Sequence, residues 1–102
     1  MTTITELEMQ ALKEIANCDF SSDGEGLHSP TYQLNFDLPM NQVRALLSTL
    51  SQKGIVSVTS AEDLGEDYGW VRIKDEYAVR ASESDPALVK GTGYKLVNLE
   101  VK

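Results

Sequence analysis

A chain of 102 residues that is 41% hydrophobic is long enough for one domain with a modest core, and no longer. Sixteen acidic residues against nine basic ones leave a formal charge of −7, which repels a polyanion unless cations are gathered on one face. The single cysteine, Cys18, excludes an internal disulfide and a thiolate zinc site, and no apolar run approaches the length of a membrane span.

The opening Met-Thr-Thr-Ile-Thr-Glu has no basic stretch leading into an apolar one, so it does not read as a signal peptide. A cytoplasmic setting that keeps Cys18 reduced is expected. The first element spans about residues 5–17. Thr5 and Glu8 have the spacing of a capping box, and Ile4 and Met9 that of a hydrophobic staple. Leu7, Ala11, Leu12, Ile15 and Ala16 form an apolar stripe, so this element is predicted as a helix.

Residues 19–30 are rich in Ser, Asp, Gly and Pro and read as a loop. Tyr32, Leu34, Phe36 and Leu38 then alternate with Gln33, Asn35 and Asp37, the period of a half-buried strand. Pro39 ends that strand and suits the start of a helix. The helix runs over about 40–53, with Val43, Leu46, Leu47 and Leu50 at i, i+3, i+4 and i+7 on one face. Lys53 suits the negative end of its dipole, and Gly54 is the stop.

Residues 55–60 begin a β-ribbon, 61–69 are its acidic loop, and Trp70, Val71, Ile73, Tyr77 and Val79 lie in the return segment. Residues 83–93 look irregular, with a helical turn open to Pro86-Ala-Leu-Val-Lys. In the tail, Val97, Leu99 and Val101 alternate with Asn98 and Glu100, which predicts a final strand over about 94–102.

The run Leu47-Ser-Thr-Leu-Ser-Gln-Lys-Gly-Ile-Val resembles the end of the recognition helix in MarR-type winged-helix regulators. The order helix, strand, helix, β-ribbon over about 5–80 is similar to the winged helix-turn-helix domains of small bacterial and phage regulators. One element of that pattern is not evident: a strand-like run leads almost directly into Met40, where the family carries a helix before the recognition helix, so either strand and loop replace that helix, the preferred reading, or residues 20–29 supply a short remnant of it. The resemblance implies an α+β fold. Its parts are an N-terminal helix, a strand, a recognition-type helix, a β-ribbon wing and a C-terminal strand extension, all in one domain over 1–102.

The resemblance also implies DNA binding and transcription regulation, with Asn41, Gln42, Arg44, Ser48 and Gln52 turned toward the major groove. Asn and Gln pair with adenine there, and Arg with guanine. Lys53, Arg72 and Lys74 supply cations, and a homodimer, common in the family, doubles the contacts. The second helix carries no carboxylate, in a chain that has them almost everywhere else. Against this stands the loop with Glu62, Asp63, Glu66 and Asp67, which meets a phosphate backbone with repulsion. With Tyr68 it suits a basic protein instead. The leading expectation is a non-enzymatic regulator that binds double-stranded DNA. The alternative is an acidic interaction module or inhibitor that binds a basic protein.

Other constellations fall away. Asp19, Ser21, Asp23 and Gly24 have the opening spacing of a calcium loop, but the position that needs a bidentate glutamate is Pro30. His28 is the lone histidine, with no positioned nucleophile and carboxylate. Gly91-Thr-Gly93 lacks the rest of any phosphate-binding motif. No metal, no cofactor and no enzymatic activity are expected.

Overall fold

Thr5 starts the first helix by a reciprocal cap. Its side chain accepts from the Glu8 N–H at 3.1 Å, and its own N–H donates to Glu8 Oε1 at 2.9 Å. The helix, α1, spans Glu6–Ala16 and buries Ala11, Leu12, Ile15 and Ala16. Leu7, placed on the apolar stripe by its spacing, is instead exposed, and Glu8 is buried. The computed structural model describes residues 1–17, 26–34, 37–65, 69–89 and 91–102. Cys18, the calcium-like loop 19–24, Phe36 and the trio Glu66, Asp67 and Tyr68 lie outside them.

Before α1 stands a strand that the sequence reading missed, β1 (Thr2–Ile4). Then come β2 (His28–Pro30), a 3-10 turn at Thr31–Gln33, α2 (Met40–Gln52), β3 (Val56–Thr59), a short α3 (Ala61–Leu64) and β4 (Trp70–Ile73). The chain closes with β5 (Ala78–Arg80), β6 (Leu88–Val89), β7 (Tyr94–Leu96) and β8 (Leu99–Val101). Helices and mostly antiparallel strands thus build a small compact α+β domain. Its radius of gyration of 13.1 Å matches a single packed body of this length.

Among the described residues there are three small sheets. β4 lies between β2 and β3, antiparallel to both; β7 lies between β5 and β6; β1 pairs with β8 in parallel. On the inner face of the first sheet, Ser29, Val56, Val71 and Ile73 are fully buried. They pack toward α1 and α2 with Leu12, Ile15, Leu27, Leu50 and Ile55, all of them sealed from water. Alternate residues Arg72 and Trp70 lie on the outer face, where Trp70 packs beside His28 at 5.5 Å between ring centroids.

Five sequence expectations are corrected. The strand expected over 32–38 is replaced by β2 and the 3-10 turn. β2 ends at Pro30, opposite Trp70, and the Thr31 N–H donates to the Gly69 carbonyl as the chain enters the 3-10 turn; Asp37 at φ 55° breaks any extended run. The ribbon loop holds α3, capped by Ser60, whose hydroxyl accepts from the Asp63 N–H at 3.2 Å. The return segment is two strands in different sheets, split by a turn at 75–77. The helical turn open to Pro86-Ala-Leu-Val-Lys is limited to Pro86 and Ala87, closed by the Leu88 N–H on the Asp85 carbonyl at 3.1 Å, and Leu88–Val89 form strand β6. The tail is two strands, because Asn98 at φ 61° turns the chain between β7 and β8. Its side chain donates to the Glu76 carbonyl at 2.8 Å and holds that turn.

The termini brace each other. Thr2 N–H donates to Asn98 O at 2.9 Å, Lys102 N–H to Ile4 O at 3.0 Å, and the Thr2 and Tyr77 hydroxyls lie 2.7 Å apart. In the C-terminal sheet, the Asp85 carboxyl is held below its usual range by the Ala87 N–H and by Lys95 Nζ at 2.9 Å.

At the open end of the β3–β4 ribbon the backbones approach so closely that only glycine fits. A Cβ on Gly69 would lie 2.6 Å from the Thr59 carbonyl oxygen. Gly69→Ala is therefore expected to lower stability by about 2 kcal/mol, read as a shifted urea midpoint. An unchanged midpoint would show that the ribbon end yields freely.

Candidate interaction groove between helix α2 and strand β3

Helix α2 is positioned by three buried residues, Val43, Leu47 and Leu50, with Leu46 half-buried beside them. Its other face is open. Asn41, Gln42, Arg44, Ala45, Ser48 and Gln52 are all exposed, so the structure brings the sequence-predicted polar positions together on one side. The helix carries no acid in its first turn and no side-chain cap.

The cations expected to serve this face are arranged differently. Lys53 turns back from it, and its ammonium sits 2.8 Å from Glu8 Oε1 and 3.2 Å from the Thr3 carbonyl oxygen. Arg72 pairs with Asp75 at 3.0 Å, in an exposed contact of small worth. Among the described residues, Arg44 and Lys74 make no ion pair. On α3, Glu62 and Asp63 are exposed, and Asp63 accepts from the Ser60 hydroxyl at 2.8 Å.

Glu8 is a carboxylate whose pKa is lowered where α1 meets the end of α2. Burial pushes its carboxyl up, but the hydrogen bond from Lys53, the Thr5 N–H and the ammonium charge outweigh burial and hold it below the ordinary carboxylate range. Its second oxygen, Oε2, is buried with no hydrogen-bond partner among the described residues. This carboxylate locks α1 to the end of α2, and its spacing in sequence announced only the capping role.

On this side lies a groove of about 740 Å³. Val43 and Leu47 line it from α2, Val58 and Thr59 from β3, and Tyr32 from the 3-10 turn. Its rim is apolar and open: Tyr32 is 58% exposed, Met40 57% and Val58 45%. Arg44 is the one charged side chain among the described residues that line it. Sequence reasoning missed this site. Met40 lies off the apolar stripe, the alternation around Tyr32 predicts a strand, and nothing in the spacing of Val58 marks a groove beside the ribbon.

Among the described residues no cluster of three His, Cys, Asp or Glu side chains could hold a metal ion. His28 Nδ1 lies 3.0 Å from the Gly26 carbonyl oxygen, and with Trp70 beside its ring it reads as part of the sheet face. No described helix is long and apolar enough to cross a membrane. Comparison with protein-family models, with curated proteins and with solved structures finds no match.

Proposed function

We propose that the chain is a non-enzymatic binding domain of winged-helix type. Its α2–β3 groove takes a protein partner rather than duplex DNA. Support for the type comes from element order: α1, β2, α2, then a β3–β4 ribbon with β4 central in the sheet. Fold type alone does not fix the ligand. The observation that carries the protein reading is the open apolar rim of Tyr32, Met40 and Val58 around the groove. Contiguous exposed apolar surface beside a concavity is the mark of a protein interface, whereas a DNA face is polar and strongly positive.

Charge points the same way. The molecule carries −7, and Lys53 is drawn onto Glu8. Arg44, Lys74 and the loosely paired Arg72 are few cations for the counterion release that sustains DNA affinity. A basic partner, by contrast, is attracted by the net charge of the molecule.

DNA is the second reading, favoured by the carboxylate-free exposed face of α2. A backbone-amide NMR titration with mixed-sequence duplex DNA, at about 50 mM and then about 200 mM salt, separates the two. No shifts are expected in α2 or the ribbon at either salt. Shifts confined to residues 41–53 and the ribbon, weakening with salt, would overturn the protein reading in favour of DNA.

A further inference from the structure

Strand β3 is an edge: among the described residues it pairs with β4 and nothing else. The hydrogen-bond parity of β4 shows which of its groups are free. Ile73 N–H donates to the Leu27 carbonyl and Gly69 O accepts from Thr31, so odd-numbered residues there turn their backbone toward the β2 side. Lys74 N–H donates to the Ile55 carbonyl, so even-numbered residues face β3. The register pairs Ser57 with Arg72. In an antiparallel ladder Ser57 therefore bonds β4, while the N–H and C=O of Val56 and Val58 point outward. Val56 is fully buried, but Val58 is open and lines the groove.

An exposed edge is normally guarded by a lysine, a proline or a bulge. The sequence of β3 is Val-Ser-Val-Thr, with none of these. It runs straight into α3, where Glu62 and Asp63 are exposed. A short edge that no described strand pairs, an apolar groove beside it and carboxylates past its end coincide.

We propose that β3 takes an added strand: an extended segment of a basic partner protein pairs with the outward backbone of Val58. Alternate apolar side chains of that segment lie in the groove against Met40 and Tyr32. Lysine or arginine at one end of the segment meets Glu62 and Asp63. A second copy of this chain is disfavoured as occupant, because it would bring another −7 to the same surface. The inference rests on the protein-binding reading and specifies the form of the ligand. Strand addition draws affinity from main-chain bonds and specificity from every second side chain.

The test is selection from a displayed library of random peptides of about 12 residues, long enough for one strand and its flanks, on the full chain. Enriched sequences are expected to alternate apolar and polar residues, with Lys or Arg at one end. Val58→Pro removes the outward N–H but no bond to β4. It is expected to weaken the selected peptides about tenfold, and Val58→Thr, which keeps that N–H, less. On the unaltered protein, N-methylation of the peptide is expected to abolish binding at one parity of position and to be tolerated at the other.

Enrichment of sequences with helical spacing, sensitive to Met40→Asp and indifferent to N-methyl parity, would overturn strand addition and leave the groove as the site. No enrichment, or binding indifferent to both Met40 and Val58, would overturn the groove reading as well.

Discussion

Lys53→Met is expected to lower stability by about 2–3 kcal/mol at neutral pH, toward the lower end for a broken buried ion pair because the ammonium is partly hydrated. The physical reason is asymmetry of burial. The Glu8 side chain is 4% exposed and the Lys53 side chain 32%. Without Lys53, Glu8 remains buried with Oε2 unpartnered and with Oε1 held only by the Thr5 N–H. Glu8→Gln is expected to cost less, because the amide oxygen still accepts from Thr5 and Lys53 can turn into water. In the double variant most of the loss returns, since no unpaired charge stays buried.

The pH dependence has a definite sign. Glu8 in the folded protein lies below its ordinary carboxylate value. Its contribution is present in full above the unfolded pKa of about 4.3 and is lost as pH falls through the folded value. In Lys53→Met the hydrogen bond and the charge of the ammonium are both lost, so the folded pKa of Glu8 rises and the variant gains stability relative to wild type as pH falls. Urea unfolding at neutral pH and near pH 3.5 should show the gap narrowing in acid. A gap of the same size at both would mean that Lys53 contributes by packing and not by charge.

Leu50→Ala is expected to cost about 3 kcal/mol, in the range for emptying a sealed core site. Leu50 is fully buried in the last turn of α2, and its carbonyl accepts from the Ile55 N–H at 3.1 Å as the chain enters the ribbon. The side chain therefore pins the point where the helix hands over to β3. Leu46→Ala, on a half-buried position of the same helix, should cost less than half as much. Because the groove walls come from α2 and β3, Leu50→Ala should also weaken any groove ligand, while Leu46→Ala leaves it bound. A loss under about 1 kcal/mol at Leu50 would mean that the core collapses into the vacancy.

Much of the local structure is legible in the chain because it is set by near neighbours. The Thr5 and Glu8 spacing, the staple of Ile4 and Met9 and the stripe of Ala11, Leu12 and Ile15 place α1 within a residue of its observed ends. Val43, Leu47 and Leu50 do the same for α2, and Val56 and Ile73 mark a ribbon. These signals depend on helical or strand periodicity and on caps, which act over a few residues. The α+β class and the polar, carboxylate-free face of α2 follow from the same evidence.

What the chain alone left open depends on which distant residues meet. Alternation in 32–38 read as a strand, yet the partner of β4 is His28–Pro30, and periodicity carries no information about pairing. Thr2–Ile4 became a strand only because residues 99–101 lie beside it. Lys53 was read as a cation for a ligand, and tertiary packing gave it to Glu8, 45 positions away. The groove is the clearest case. Tyr32, Met40 and Val58 come from a turn, a helix end and a strand, and each alone is an unremarkable exposed side chain. Sequence fixes local conformation and charge through short-range physics, while the site is a property of three segments made adjacent by burial of the core beneath them.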